Sequence, residues 1–111
     1  MAVNSSPITR HEDDRRVLVE WLNGFGVRSC KVLTAKQECE VGNHYHKNKD
    51  EFFYLLAGSG EVELNGLWEI IHAGDTVYVP ALTKHSFKLS EGSILLGGAT
   101  KEYDPDDEYK T

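Results

Sequence analysis

The stretch EVELNGLWEII, residues 61–71, constrains the fold more tightly than any other part of the chain. Val62 and Leu64 alternate with Glu61 and Glu63, and Leu67 and Trp68 follow directly after Asn65-Gly66. Alternation of period two gives an extended strand one apolar and one polar face. Asn-Gly supplies the positive φ angles of a two-residue hairpin turn. A lone hairpin is marginal in water, so its apolar face needs further strands to cover it. The chain provides them as short apolar runs between turn residues: VLVEWL at 17–22 before NGFG, VRSCKVLT at 27–34, EFFYLLAG from Glu51, DTVYVP at 75–80 after Ala73-Gly74, HSFKL at 85–89 and SILLGG at 93–98. Roughly eight short strands at this spacing specify an all-β sandwich or barrel. Acids ahead of Val17, Leu18 and Trp21 also fit a helix over 11–22, but the β-branched content and the Asn23-Gly24 stop favour a strand.

The 111 residues suffice for one domain with its own core and no second module. The barrel core is expected over about 17–99, between a polar N-terminal arm and an acidic tail, KEYDPDDEYKT, from Lys101. A net charge of -6 without a cluster of Lys and Arg argues against a nucleic-acid surface. The small basic groups Arg15-Arg16 and Lys47/Lys49 sit beside acids, which leaves room for a local anion site for one small ligand. No run approaches the ~20 apolar residues of a membrane span, and MAVNSSPITRHEDDRR lacks the apolar centre of a secretory signal, so a cytoplasmic location off the membrane is expected. Cys30 and Cys39 lack C-x-x-C spacing and are expected to be free thiols.

The polar link in GNHYHKNKDEFFYLLAGSG, residues 42–60, carries the chemistry. On an extended chain His44 and His46 project to one face and Tyr45 to the other. Glu51 opens the next strand after KNKD, close enough to fold back beside them. His85 begins another strand far along the chain, where a barrel can bring it opposite the pair. Imidazoles with one carboxylate suit a divalent transition metal such as Zn, Mn, Fe, Ni or Cu. The same residues also suit a solvent-exposed polar edge, with His85 a hydrogen-bonded rim residue, and spacing alone does not separate the two readings.

The run His44-x-His46, four residues, Glu51, six residues, Gly58 resembles the first motif of the cupin superfamily. GDTVYVPALTKH resembles the second, with Gly74, Pro80 and His85 in place. Glu38 and Leu82 stand where the motifs usually have glycine, and Leu89 where asparagine is usual. The resemblance implies a double-stranded β-helix, or jelly-roll barrel, holding one divalent transition metal through His44, His46, Glu51 and His85.

Both flanks narrow the family further. DDRRVLVEW resembles the D-x-R-G-x-L segment of nucleotide-sugar ketoisomerases and epimerases of polysaccharide biosynthesis, with Arg16 at the usual glycine. ILLGGATKEYDPDDEY resembles the YDPxD close of dTDP-4-dehydrorhamnose epimerases, and GNHYHK the metal-binding cupin domain of capsular-polysaccharide reductases. These likenesses imply a sugar or nucleotide-sugar ligand, isomerised or epimerised by proton transfer next to a carbonyl. In metal-free relatives a histidine of the pair is the base, which makes His44 and His46 catalytic candidates. If metal occupies them, Tyr54 and Tyr78 are the candidates instead. A small metal-dependent dioxygenase and a non-catalytic sugar-binding cupin are the rival readings. A homodimer is expected from paired edge strands.

Overall fold

The computed structural model describes residues 9–111 and the backbone of Val3–Asn4. The elements are β1 (Val3–Asn4), β2 (Thr9–Glu12), β3 (Val17–Glu20), β4 (Ser29–Thr34), β5 (Cys39–Tyr45), β6 (Glu51–Ala57), β7 (Ser59–Leu64), β8 (Leu67–His72), β9 (Thr76–Val79), β10 (His85–Leu89), β11 (Ile94–Ala99), a 3-10 turn (Pro105–Asp107) and β12 (Tyr109–Lys110). Two five-stranded antiparallel sheets, ordered β1-β9-β6-β11-β4 and β12-β5-β10-β7-β8, face each other as a jelly roll. Among the described residues no helix is long and apolar enough to cross a membrane.

The alternation read from the sequence sets the hairpin register. Leu64 pairs with Leu67, and the two residues between them, Asn65 and Gly66, have φ of 50° and 91°. Glu63, buried beneath the turn, accepts from Gly66 N at 2.7 Å and pairs with Lys84 Nζ at 3.1 Å. Gly58 fixes another corner. Its φ is 93°, and a Cβ there would lie 2.2 Å from Ser93 Oγ, so no other residue fits without displacing β11's approach.

Phe53, Leu55, Val77, Val79 and Leu95 from the first sheet meet Val62, Ile71, Phe87 and Leu89 from the second. Each such buried side chain contributes about 1.5–3 kcal/mol of transfer free energy. Phe53 and Phe87 touch edge to face at 4.9 Å and join the two sheets below the site. Leu89, at the position where the family motif usually has asparagine, is part of this core.

β6 is buried on both faces. Glu51, Phe53 and Leu55 point inward; Phe52 and Tyr54 point outward, where Phe25 covers Phe52 at 4.1 Å and Trp21 stacks on Tyr54 at 5.7 Å. The N-terminal region therefore differs from the expectation. Val17–Glu20 is a strand, but among the described residues it pairs only with Thr9–Glu12 of the polar arm, in a ribbon outside both sheets, and Val17 and Leu18 remain exposed. Trp21 and Phe25, in the segment after this ribbon, pack on the outer face of β6. The acidic tail is likewise structured: β12 pairs with β5, joining Tyr109 to Tyr45 and Lys110 to His44.

Candidate metal centre

A break in the β5–β10 ladder aims the histidines. His85 pairs with His44, while Ser86 pairs with Gly42, so the register shifts between His85 and Ser86. Gly42 and Asn43 take φ of 108° and 61°, and a Cβ on Gly42 would come within 2.8 Å of the His85 carbonyl. A bulge of this kind bends the strand and re-aims its side chains. It turns His44 and His85 toward one point, with ring centroids 4.7 Å apart. His46, just beyond β5, lies 4.7 Å from His44, and Glu51 enters from the first residue of β6. One ligand atom from each of His44, His46, Glu51 and His85 lies within 4.8 Å of the others.

Hydrogen bonds behind the rings fix which nitrogen faces inward. His46 Nδ1 lies 2.6 Å from the Asp107 carbonyl, and His85 Nδ1 lies 3.1 Å from the Thr83 carbonyl. A carbonyl only accepts, so each Nδ1 carries the proton and donates. Each Nε2 then turns toward Glu51 Oε1, at 3.3 Å from both. Both separations are within hydrogen-bond reach, but neither contact has hydrogen-bond geometry. Glu51 Oε1 is the enclosed side-chain polar atom left without a hydrogen-bond partner among the described residues.

Two neutral imidazoles would point lone pairs at a buried carboxylate, which is unfavourable without a cation between them. In the protein alone, protons are the available cation. Burial raises the Glu51 carboxyl, but His46, His85 and Lys31 outweigh it and hold the group well below the usual carboxylate range. Burial disfavours charge on His46, yet Glu51 and the Asp107 carbonyl raise it. Burial and the neighbouring charges of His85 and His46 push His44 down to about 4. Three imidazoles and one carboxylate, two of the rings oriented by carbonyls, fit a divalent transition metal.

The tail secures this arrangement. Asp107 is buried, accepts from Lys47 N at 2.9 Å and Asn48 N at 3.1 Å, and offers its carbonyl to His46. Leu82, in the left-handed region at φ 70°, donates its backbone N–H to the His46 carbonyl at 2.6 Å. Glu38, the other residue in a usual glycine position, has no positive φ, so its side chain adds no backbone strain.

Two cavities flank the centre, with Lys31 on the wall of both. One of about 90 Å³ is lined by His44, His85, Leu33, Val41, Phe53 and Phe87 among others. The other, about 240 Å³, reaches Glu51, Lys49, Cys30, Gly98 and Tyr103. Lys31 Nζ stands 3.6 Å from Glu51 Oε2 and 5.7 Å from the Phe53 ring centroid. Gly97, paired with both Lys31 and Phe53, makes room for it, since a Cβ there would lie 3.1 Å from Phe53 and 3.2 Å from Lys31. A larger cavity of about 850 Å³ is lined by Glu38, Glu40, Glu61 and Lys88 among others and touches none of the four clustered residues. Chemistry, rather than size, identifies the site.

Tyr54 and Tyr78 are not brought to the cluster. Tyr54 lies under Trp21 on the outer face of β6, and Tyr78 stacks on Phe52 at 4.9 Å on that same outer face. Strand parity dictates this, because Tyr54 is an odd number of residues from Glu51 on β6. Lys31 and Asp107 were not singled out as site residues from the sequence, whereas Lys49 was named there only with Lys47, as room for a local anion site. Lys31 had a readable signal, a lysine sharing parity with Leu33 on a β-type run; Asp107, and the place of Lys49 beside Glu51, depend on the path of the tail and loop.

The comparisons accord with this geometry. The family model described as a cupin domain matches residues 31–95. The chain belongs to the cupin domain family. An uncharacterised protein of Aquifex aeolicus is 34% identical over 68 residues, covering 60% of this cupin and 56% of that protein. The chain thus spans little more than half the length of the curated relatives it matches, 56% and 57%. Among solved structures, a TDP-fucose-3,4-ketoisomerase from Campylobacter jejuni superposes with a TM-score of 0.85 at 16% identity, covering 100% of this cupin and 90% of that chain. A 3'-monoepimerase from Streptomyces bikiniensis, in complex with dTDP-quinovose, gives 0.83 at 22% identity, with 99% and 69% covered. At these identities the likeness is one of fold.

Proposed function

We propose that this cupin holds one divalent transition metal through His44, His46, Glu51 and His85 and isomerises or epimerises a sugar or nucleotide-sugar by proton transfer next to a carbonyl. The observation that carries the metal reading is Glu51 Oε1, enclosed and unpartnered, facing two Nε2 atoms whose rings are tied back by carbonyls. A metal bound there supplies Lewis-acid polarisation of a carbonyl oxygen. The sugar reading draws on the ketoisomerase and epimerase folds that superpose over nearly the whole chain.

The protein's own groups divide the remaining work. Phe53, Phe87, Leu33 and Val41 give the inner cavity apolar walls, which strengthen the electrostatics at its mouth. With the histidines committed as ligands, Lys31 is the titratable group that lines both cavities, and its ammonium is placed to hydrogen-bond an oxygen bound beside Glu51 and so stabilise negative charge that develops there. The inner cavity alone, about 90 Å³, is small for a sugar. Ligand sites usually measure ~300 Å³ or more, so the sugar must also use the outer cavity past Lys31. The reading includes a homodimer acting in the cytoplasm.

One observation favours a second reading, a metal-dependent dioxygenase: the inner cavity is small and mostly apolar, dimensions that suit a small organic substrate and dioxygen. Metal-loaded protein incubated with TDP-4-keto sugars, followed by proton NMR in deuterated water, separates the two. Deuterium exchange or isomerisation without oxygen supports the sugar reading. Oxygen uptake with the iron-loaded protein and no exchange overturns it.

A further inference from the structure

We infer that Lys49 anchors an oxyanion-binding subsite beside the metal centre, one that takes a phosphoryl or carboxylate group of the ligand. Lys49 is 9% exposed, and among the described residues its ammonium has no hydrogen-bond or ion-pair partner. Elsewhere in the chain a lysine near buried polar groups is matched, as Lys84 is by Glu63 at 3.1 Å. The stem of Lys49 is packed while the ammonium opens on a cavity with no carboxylate paired to it, so it is placed to receive an anion from outside.

The surroundings agree. Lys49 and Tyr103 form the common wall of the 240 Å³ cavity, which touches Glu51, and a neighbouring one of about 450 Å³ that adds Lys101. Lys31 stands on the inner side. The acids nearby are already engaged: Glu102 by Arg28, Asp104 by Asp106 N, and Asp107 by the Lys47 and Asn48 amides. None is ion-paired with Lys49. An oxyanion seated here would place the rest of its molecule toward Lys31 and the metal ligands.

The proposal deepens the nucleotide-sugar reading and rests on it only for the source of the oxyanion, a diphosphate. The test is an NMR titration of zinc-loaded, isotope-labelled protein with inorganic phosphate, acetate and a nucleoside diphosphate sugar in turn. Wild type, Lys49→Gln, Lys49→Arg and Lys47→Gln are compared, with zinc content checked before and after. Loss of one charge-assisted hydrogen bond should weaken phosphate binding by about tenfold or more in Lys49→Gln. Lys49→Arg should retain it, and Lys47→Gln, whose ammonium sits 4.4 Å over the Tyr109 ring, should change it little. Acetate binding with the same dependence, in place of phosphate, supports the subsite with a carboxylate as its ligand. Lys49-dependent phosphate binding without any nucleotide-sugar binding supports the subsite and removes the sugar reading. Nucleotide-sugar binding indifferent to Lys49, equal loss in Lys47→Gln, or no oxyanion binding by wild type overturns the subsite.

Discussion

Replacing Asp107 by alanine tests whether the C-terminal tail holds the loop that carries His46 in place. The carboxylate accepts two backbone N–H groups, from Lys47 at 2.9 Å and Asn48 at 3.1 Å, and is itself buried. Hydrogen bonds to a charged group contribute about 1.5–3 kcal/mol each. Lys47 and Asn48 are exposed residues, so water can recover part of what is lost. We expect Asp107→Ala to cost about 2–3 kcal/mol in urea unfolding of metal-free protein, and Asp107→Asn, which keeps one acceptor oxygen, about half that. The metal should respond as well. His46 Nδ1 donates to the Asp107 carbonyl, and loosening such an orienting partner typically lowers metal affinity about 10–100-fold. Competition with a chromophoric zinc chelator measures that ratio directly. A variant that unfolds within 0.5 kcal/mol of wild type, a difference about the size of ordinary surface effects, and binds zinc equally well would refute the reasoning.

Other perturbations follow from single positions. Leu82 at φ 70° pays a left-handed penalty of about 1–2 kcal/mol, partly offset by the backbone entropy a glycine would lose, so Leu82→Gly should stabilise by about 0.5–1 kcal/mol in thermal unfolding. Gly58→Ala should do the reverse, by at least about 2 kcal/mol, because its Cβ would meet Ser93 Oγ at 2.2 Å. Tyr54→Phe and Tyr78→Phe, on the outer face, should leave metal content unchanged and alter any turnover by less than about twofold.

Much of this site was legible before the fold was seen because parity carries it. His44 and His46 share a face, and Glu51 opens a strand whose inward residues follow at Phe53 and Leu55. The Asn65-Gly66 turn was equally plain, since its chemistry is local. The same parity, carried along β6, would have turned Tyr54 away from Glu51. The rest depends on distant partners. Lys31 reaches the site because β4 pairs with β11 and β11 with β6, bringing Lys31, Gly97 and Phe53 into one row. Thr9–Glu12 and Tyr109–Lys110 are short polar strands whose pairing comes from their neighbours, so no apolar period announces them. Val17 and Leu18 gave a misleading signal: an apolar run suggested barrel core, whereas the burial is supplied by Trp21 and Phe25 a few residues later.

The central claim is that four side chains form one metal site, and metal content tests it most directly. Elemental analysis of tag-free protein, as purified and after reconstitution with zinc, manganese and iron, should be run beside Glu51→Gln. The expected result is about one equivalent in wild type and little in the variant, since an amide oxygen replaces the buried carboxylate between His46 and His85. A wild type that takes up no metal, or a Glu51→Gln protein that keeps a full equivalent, would contradict it.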